Sequence, residues 1–131
     1  QGKVSDAENL YAEVLEGFRA QLGDQHPDTL QSATNLAKLL QAVGKLDKAE
    51  MLYRQTLEKR KASLGTRHPD TLTCQSHLAS MLQGLGQFEK AEPLHRDSYE
   101  GRRQLFGERH PETIASASKL AALLHDLGRL K

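Results

Sequence analysis

The sequence has no tryptophan, one cysteine, two methionines and four prolines in 131 residues. A single thiol, Cys74, excludes an internal disulfide and a thiolate cluster, and it fits an intracellular, cytoplasmic setting. Aromatics are confined to three tyrosines and three phenylalanines, and hydrophobic residues reach only 37%. Such a chain suits small, distributed contacts better than one large core. No apolar run approaches the roughly 18 residues of a membrane span. Charge of one sign is also missing: 18 Lys and Arg face 17 Asp and Glu, a net +1, which leaves no basic footprint for nucleic acid. There is no initiator Met and no signal peptide, and the ends read QGKV and GRLK. We therefore expect a segment of a longer protein.

What is present is a period. LGDQHPDTL at 22–30, LGTRHPDTL at 64–72 and FGERHPETI at 106–114 set His26, His68 and His110 at intervals of 42 residues. The same interval links Gly2, Gly44, Gly86 and Gly128, then Ala7, Ala49 and Ala91, then Leu36, Leu78 and Leu120. Residues 1–131 divide into units 2–43, 44–85 and 86–127, with 128–131 opening a fourth. A repeat of this size marks a solenoid. A catalytic motif does not recur in register through so short a chain, so the His-Pro-Asp string reads as helix punctuation.

The punctuation has a mechanism. Pro at the first helical position gives up only an N–H that would go unpaired. Asp28, Asp70 and Glu112 then put negative charge in the first turn, where the helix dipole favours it, and the preceding histidine falls at or near the N-cap. Gly23, Gly65 and Gly107 follow long amphipathic stretches, as helix C-termini favour. Ser5 with Glu8, Asp47 with Glu50 and, more weakly, Glu89 with Glu92 have capping-box spacing, and Gly44, Gly86 and Gly128 mark tight turns. The spacing predicts six helices at roughly 4–22, 27–43, 46–64, 69–85, 88–106 and 111–127, joined by loops so short that neighbours run antiparallel. Leu30, Ala33, Leu36, Ala37, Leu40 and Val43 form one helical stripe, and Leu46, Ala49, Leu52, Tyr53, Leu57 and Leu64 another. Neither can be buried within one hairpin, so units must stack.

The fine pattern Leu36-Ala37-x-x-Leu40 followed by Ala49-x-x-x-Tyr53-x-x-Thr56 resembles the tetratricopeptide repeat. It returns as Leu78-Ala79-x-x-Leu82 with Ala91, His95 and Ser98, and as Leu120-Ala121-x-x-Leu124. With HPDTL, NLAKLL and GKLDKAEMLYRQTLEKRKASLG, the chain is similar throughout to the kinesin-light-chain type of this repeat. The resemblance implies an all-α, right-handed superhelical solenoid of antiparallel helix pairs. It departs from the family at the Asn pair before Leu-Ala: Thr34-Asn35, Ser76-His77 and Ser118-Lys119 stand there, so only Asn35 carries over. Pro93 falls early enough in its helix for the first turn to absorb it. Gly17 and Gly101 share a mid-helix column, each costing roughly 1 kcal/mol against Ala, and the sequence offers no reason for it.

The sequence carries no recognisable catalytic or metal-binding constellation. The six histidines contain no i, i+4 pair on one helix, whereas zinc needs about four converging ligands; no metal or cofactor is expected. Cys74 could meet His77 on one helix face, but its repeat counterparts are Ser32 and Ser116, and it reads as a small helix residue. Carboxylates such as Glu50 and Glu58 recur as columns. No enzyme is expected. Lys59-Arg60-Lys61 and Arg102-Arg103 lie in last turns and read as solvated charge complementing the dipole.

In arrays of this type the helix that carries the Leu-Ala pair, the first of each tetratricopeptide helix pair, lines a concave groove. Here the expected groove residues are Gln31, Thr34, Asn35, Lys38 and Gln41; Thr73, Ser76, His77, Ser80 and Gln83; and Ser118, Lys119 and His125. Amides suit an extended peptide backbone, and lysines favour acidic side chains. The leading expectation is a scaffold or adaptor that binds an extended, acidic peptide of a protein partner, with Asn35 clamping main chain and Lys38, His77 and Lys119 supplying the field. The alternatives are end-to-end self-association through terminal helices bearing Val4, Leu10, Val14 and Phe18, and a regulatory arm of a larger signalling protein.

Overall fold

A computed structural model describes residues 2–130, with Leu130 described in backbone only. Of the expected fourth unit, Lys131 lies outside the described residues. Six helices account for nearly all of the chain: α1 (Gly2–Leu22), α2 (Pro27–Ala42), α3 (Leu46–Leu64), α4 (Pro69–Gly84), α5 (Phe88–Phe106) and α6 (Pro111–Leu130). There is no strand among the described residues. The chain forms two compact units, Gln1–Ser63 and Leu64–Lys131.

In the first unit α2 buries Leu30, Ala33, Ala37 and Leu40, while α3 buries Ala49, Tyr53 and Leu57. These are the inner members of the two stripes; Leu36, Leu46 and Leu52 are half-buried and Val43 is exposed, while Leu64, the last member of the second stripe, is a half-buried residue of the second unit. The turn between α2 and α3 is a Schellman motif. The Lys45 N–H donates to Leu40 O at 2.8 Å and the Gly44 N–H to Gln41 O at 3.2 Å, which requires the positive φ of 89° at Gly44. Across this turn the Tyr53 hydroxyl donates to Gln41 Oε1 at 3.0 Å.

The second unit repeats the device. The Gln87 N–H donates to Leu82 O at 2.9 Å and the Gly86 N–H to Gln83 O at 3.0 Å. Helix α5 packs between α4 and α6, and bonds from Arg67 to Gln104, Gln75 to Asp97 and Arg102 to Thr73 show α4 and α5 running antiparallel. Leu72, Leu82 and Leu123 are wholly buried, as are Ala79 and Ala91. Ala37 and Ala49 are equally buried in the first unit, so small residues stand where helices approach, as the sequence pattern requires.

Each histidine of the repeated string is an N-cap. Nδ1 of His26, His68 and His110 accepts the backbone N–H two residues on, at 3.1, 3.0 and 3.1 Å. The cap leaves the following Pro at the first helical position, where it forfeits nothing. His110 also stacks on Phe106, with ring centroids 4.4 Å apart.

Several local expectations are corrected. The capping boxes do not form. Ser5 lies inside α1, and Asp47 is the second residue of α3 because the Lys45 carbonyl already accepts the Ala49 N–H. At α5 the N-cap is Gln87, without a side-chain bond. The Schellman turn fixes where the next helix starts, and that start falls before the acidic residue. The would-be partners pair elsewhere: Glu8 with Lys45, Glu50 with Arg54 and Glu92 with Arg96, at 2.8, 2.9 and 2.9 Å. Gly128 makes no turn, since α6 runs through it to Leu130; glycine permits a turn but does not compel one. Pro93 is the sixth residue of α5, a turn later than proline is free.

Candidate functional site

The expected groove residues separate into three environments. On α2, Gln31 and Lys38 are exposed and Asn35 is half-buried. The Gln31 Nε2 donates to Asn35 Oδ1 at 3.0 Å. That bond orients the pair so that Asn35 Nδ2 and Gln31 Oε1, a donor and an acceptor, are both unused among the described residues. Gln41 is half-buried and held by the Tyr53 hydroxyl. Thr34 was expected on the exposed side and is not there: it is 4% exposed, its hydroxyl donating back to Leu30 O at 3.0 Å. A β-branched hydroxyl bonded to its own helix presents only its methyl to a packing neighbour.

In the second unit Ser80, Ser118, Lys119 and His125 are exposed and His77 is half-buried. Gln83 reaches Asp126 Oδ2 at the long distance of 3.5 Å, and His125 Nδ1 lies 3.8 Å from the other oxygen of the same carboxylate. Ser76 is a second correction. It is 3% exposed, because a side chain absent from the expected set occupies the space between α4 and α6.

That side chain is Arg102 of α5, 6% exposed. Its Nη1 donates to Ser76 Oγ at 3.2 Å and Ser116 Oγ at 2.6 Å, and Nη2 donates to Thr73 Oγ1 at 3.2 Å. The Arg102 carbonyl in turn accepts from the Thr113 hydroxyl at 3.2 Å. No carboxylate lies within ion-pair distance of Arg102 among the described residues. Burial therefore pulls this guanidinium below the usual arginine range, with Glu112 opposing from further away. Arg60, one repeat earlier, is likewise buried, at 7% exposure. Both residues had read as solvated basic runs, and both are corrected. A signal existed: Ala91, His95, Ser98 and Arg102 follow one another at intervals of four, three and four, which is the inward face of α5. Arg103, on the other side, is the solvated residue, paired with Glu100 at 2.7 Å.

His95 occupies the column of Tyr11 and Tyr53. It is 2% exposed and its Nε2 has no hydrogen-bond partner. Cys74 is 1% exposed, in keeping with a small helix residue. No group of three or more His, Cys, Asp or Glu that could hold a metal ion occurs among the described residues. None of the described helices is long and apolar enough to cross a membrane.

Antiparallel helix pairs at a 42-residue period, with alanines wholly buried where the helices approach, define an interaction repeat. The Tetratricopeptide repeat family model matches residues 1–62, 32–104 and 70–131, and the chain belongs to that family. No curated protein matches it in sequence. Among solved structures it is similar to a protein of Podosopora anserina described as a kinesin light chain with nearly identical TPR-like repeats, at 29% identity and a TM-score of 0.86, over 97% of this chain and 60% of that one. It is also similar to BtubC (BKLC) from P. vanneervenii, at 30% identity and a TM-score of 0.82, over 95% of this chain and 49% of that one. The chain thus spans about half to three-fifths of these relatives. Tetratricopeptide repeats are protein-interaction modules, and this chain is a kinesin-light-chain-like example of them.

Proposed function

We propose that the chain is a non-catalytic cytoplasmic adaptor that binds extended acidic peptide segments of a protein partner, on the polar face of α2 in the first unit and on those of α4 and α6 in the second. One observation carries the reading. The stretches 31–41, 73–83 and 116–125 contain no Asp or Glu, in a chain that has 17 of them. Lys38 and Lys119 stand exposed there, so an approaching carboxylate meets cations; the one carboxylate bordering these stretches on α6, Asp126, is engaged by Gln83 and His125. The Gln31–Asn35 pair supplies the free donor and acceptor that an extended backbone needs. Contacts of this kind, offset by the ordering of the peptide, correspond to a Kd of about micromolar.

The test is selection from a mixed library of acidic and basic extended peptides at two salt concentrations. Acidic peptides are expected to enrich, less so at high salt because exposed charges are screened over roughly 8–10 Å, and enrichment is expected to fall with Asn35→Ala or Lys119→Glu. A library that returns no acidic preference would overturn the reading.

A second reading, end-to-end association of copies, is favoured by bare apolar faces. Leu10, Val14 and Val4 of α1 are 60%, 48% and 43% exposed. On α6, Ile114 and Leu124 are 55% and 40% exposed, whereas their repeat counterparts on α4, Leu72 and Leu82, are wholly buried. Light scattering over a concentration series checks it; a mass that stays monomeric throughout would exclude it.

A further inference from the structure

Arg102 is an arginine taken out of water with no carboxylate to match it. Its donors are unevenly used. Nη1 serves Ser76 and Ser116, both buried, whereas Nη2 has only the Thr73 hydroxyl and Nε has no acceptor among the described residues. The Nε–Nη2 edge is the fork on which a guanidinium grips two carboxylate oxygens at once. Thr73, the hydroxyl that Nη2 reaches, belongs to an exposed residue of α4, whereas Nη1 serves two buried serines, so the Nη2 side of the guanidinium lies nearer the face and the Nη1 side nearer the interior. Hydroxyls satisfy a guanidinium's N–H groups but leave its charge standing, and a charge in this setting acts more strongly than one on an exposed lysine.

We propose that Arg102 is a carboxylate-binding site of the α4–α6 face, receiving the side chain of an aspartate or glutamate on its Nε–Nη2 edge beside Thr73. Ser76 and Ser116 hold the plane of the guanidinium, so its orientation is set before the ligand arrives and little is lost in ordering it. The identity of the ligand's carrier rests on the peptide-capture reading; the carboxylate chemistry does not.

The experiment follows the Nε–H resonance of Arg102 by NMR, identified by its loss in Arg102→Lys. Sodium acetate is titrated against sodium chloride at matched ionic strength, then a blocked Gly-Glu-Gly-Glu-Gly peptide against its Gln counterpart. Acetate and the Glu peptide are expected to shift the signal saturably, and chloride and the Gln peptide to leave it in place. Arg102→Lys, which keeps the charge but loses the fork, is expected to weaken the Glu peptide by about 10- to 100-fold, the scale of a charge-assisted hydrogen bond. Thr73→Glu, at an exposed position that keeps the fold, is expected to place a carboxylate on the edge from within and abolish the acetate response. An Nε–H signal indifferent to acetate and Glu peptide alike, or Glu-peptide affinity unchanged by Arg102→Lys, would overturn the site. A library without acidic preference beside an acetate-responsive Arg102 would overturn peptide capture and leave the carboxylate site standing.

Discussion

Gly101 lies directly against Leu72: a Cβ built on Gly101 would stand 2.8 Å from Leu72 Cδ2 and 2.9 Å from Cδ1. Leu72 is wholly buried, so its methyls could yield only against packed neighbours, and the glycine is what lets α5 close on α4. Gly101→Ala is expected to destabilise the protein. Overpacking of about 1–3 kcal/mol outweighs the roughly 1 kcal/mol of helix propensity that alanine returns. Gly17 shares the column but has nothing within 4 Å, so Gly17→Ala is expected to be neutral or to gain up to about 1 kcal/mol. Denaturant melts of the two variants check the opposite signs.

The histidine caps support a second prediction. His68→Ala should cost about 1 kcal/mol by stripping the Asp70 N–H of its acceptor, and His68→Asn should restore most of it, since an amide oxygen caps as well. His110→Ala should cost more, because it also gives up the stack on Phe106, worth about 0.5–1.5 kcal/mol. Thermal unfolding of the three variants orders them.

Which features the sequence showed, and which it did not, divides along a physical line. The helix pairs, the N-cap histidines and the turns at Gly44 and Gly86 are local, set by residues within a few positions of one another, and each recurs at a fixed interval. They were legible. The capping boxes failed because the start of α3 is decided upstream, by the Schellman bonds at Gly44 and Lys45, and not by Asp47 itself. Arg102 was missed, and Gly101 left unexplained, because both depend on which side of α5 faces α4. A basic residue in a last turn has a ready solvated explanation, and only the stripe from Ala91 through Ser98 argues against it. Thr34 and Ser76 have a related origin: a polar residue on α2 or α4 reads as surface until its side chain is found buried, Thr34 bonded to Leu30 O of its own helix and Ser76 to Arg102.

Acid is expected to weaken the second unit through His95. Its imidazole is pushed below the ordinary histidine value of 6.5, first by burial and then by Lys119 on α6; α4 brings only neutral side chains and His77 over 71–84. The unfolded chain therefore takes up the proton at a higher pH than the folded one. By linkage the stability contributed by neutral His95 is complete above the unfolded value near 6.5 and falls as the pH drops below it toward the lower folded value. His95→Tyr restores the aromatic found at Tyr53, whose hydroxyl has Gln41 as acceptor, and places Gln83 in the matching position. Melting temperature followed from pH 7.5 to about 5 should fall less for the variant than for the parent. Parallel curves would show that His95 is not the group responsible.

Arg102 and Arg103 are neighbours in sequence and opposites in setting, which gives the last prediction. Arg102→Met removes the donor that satisfies the buried hydroxyls of Ser76 and Ser116, and an orphaned buried polar group costs roughly 1–3 kcal/mol. Methionine recovers part of the packing of the arginine stem, so the loss reported is chiefly that of the hydrogen bonds. Arg103→Ala removes only solvent-screened pairs with Glu100 and Glu108, and exposed pairs contribute little. Its melting curve should overlay that of the parent. If Ser76 and Ser116 are what the guanidinium serves, then Arg102→Met combined with Ser76→Ala and Ser116→Ala should recover stability relative to Arg102→Met alone, because no hydroxyl is then left unpaired. A triple variant less stable than the single one would place the cost in lost packing instead.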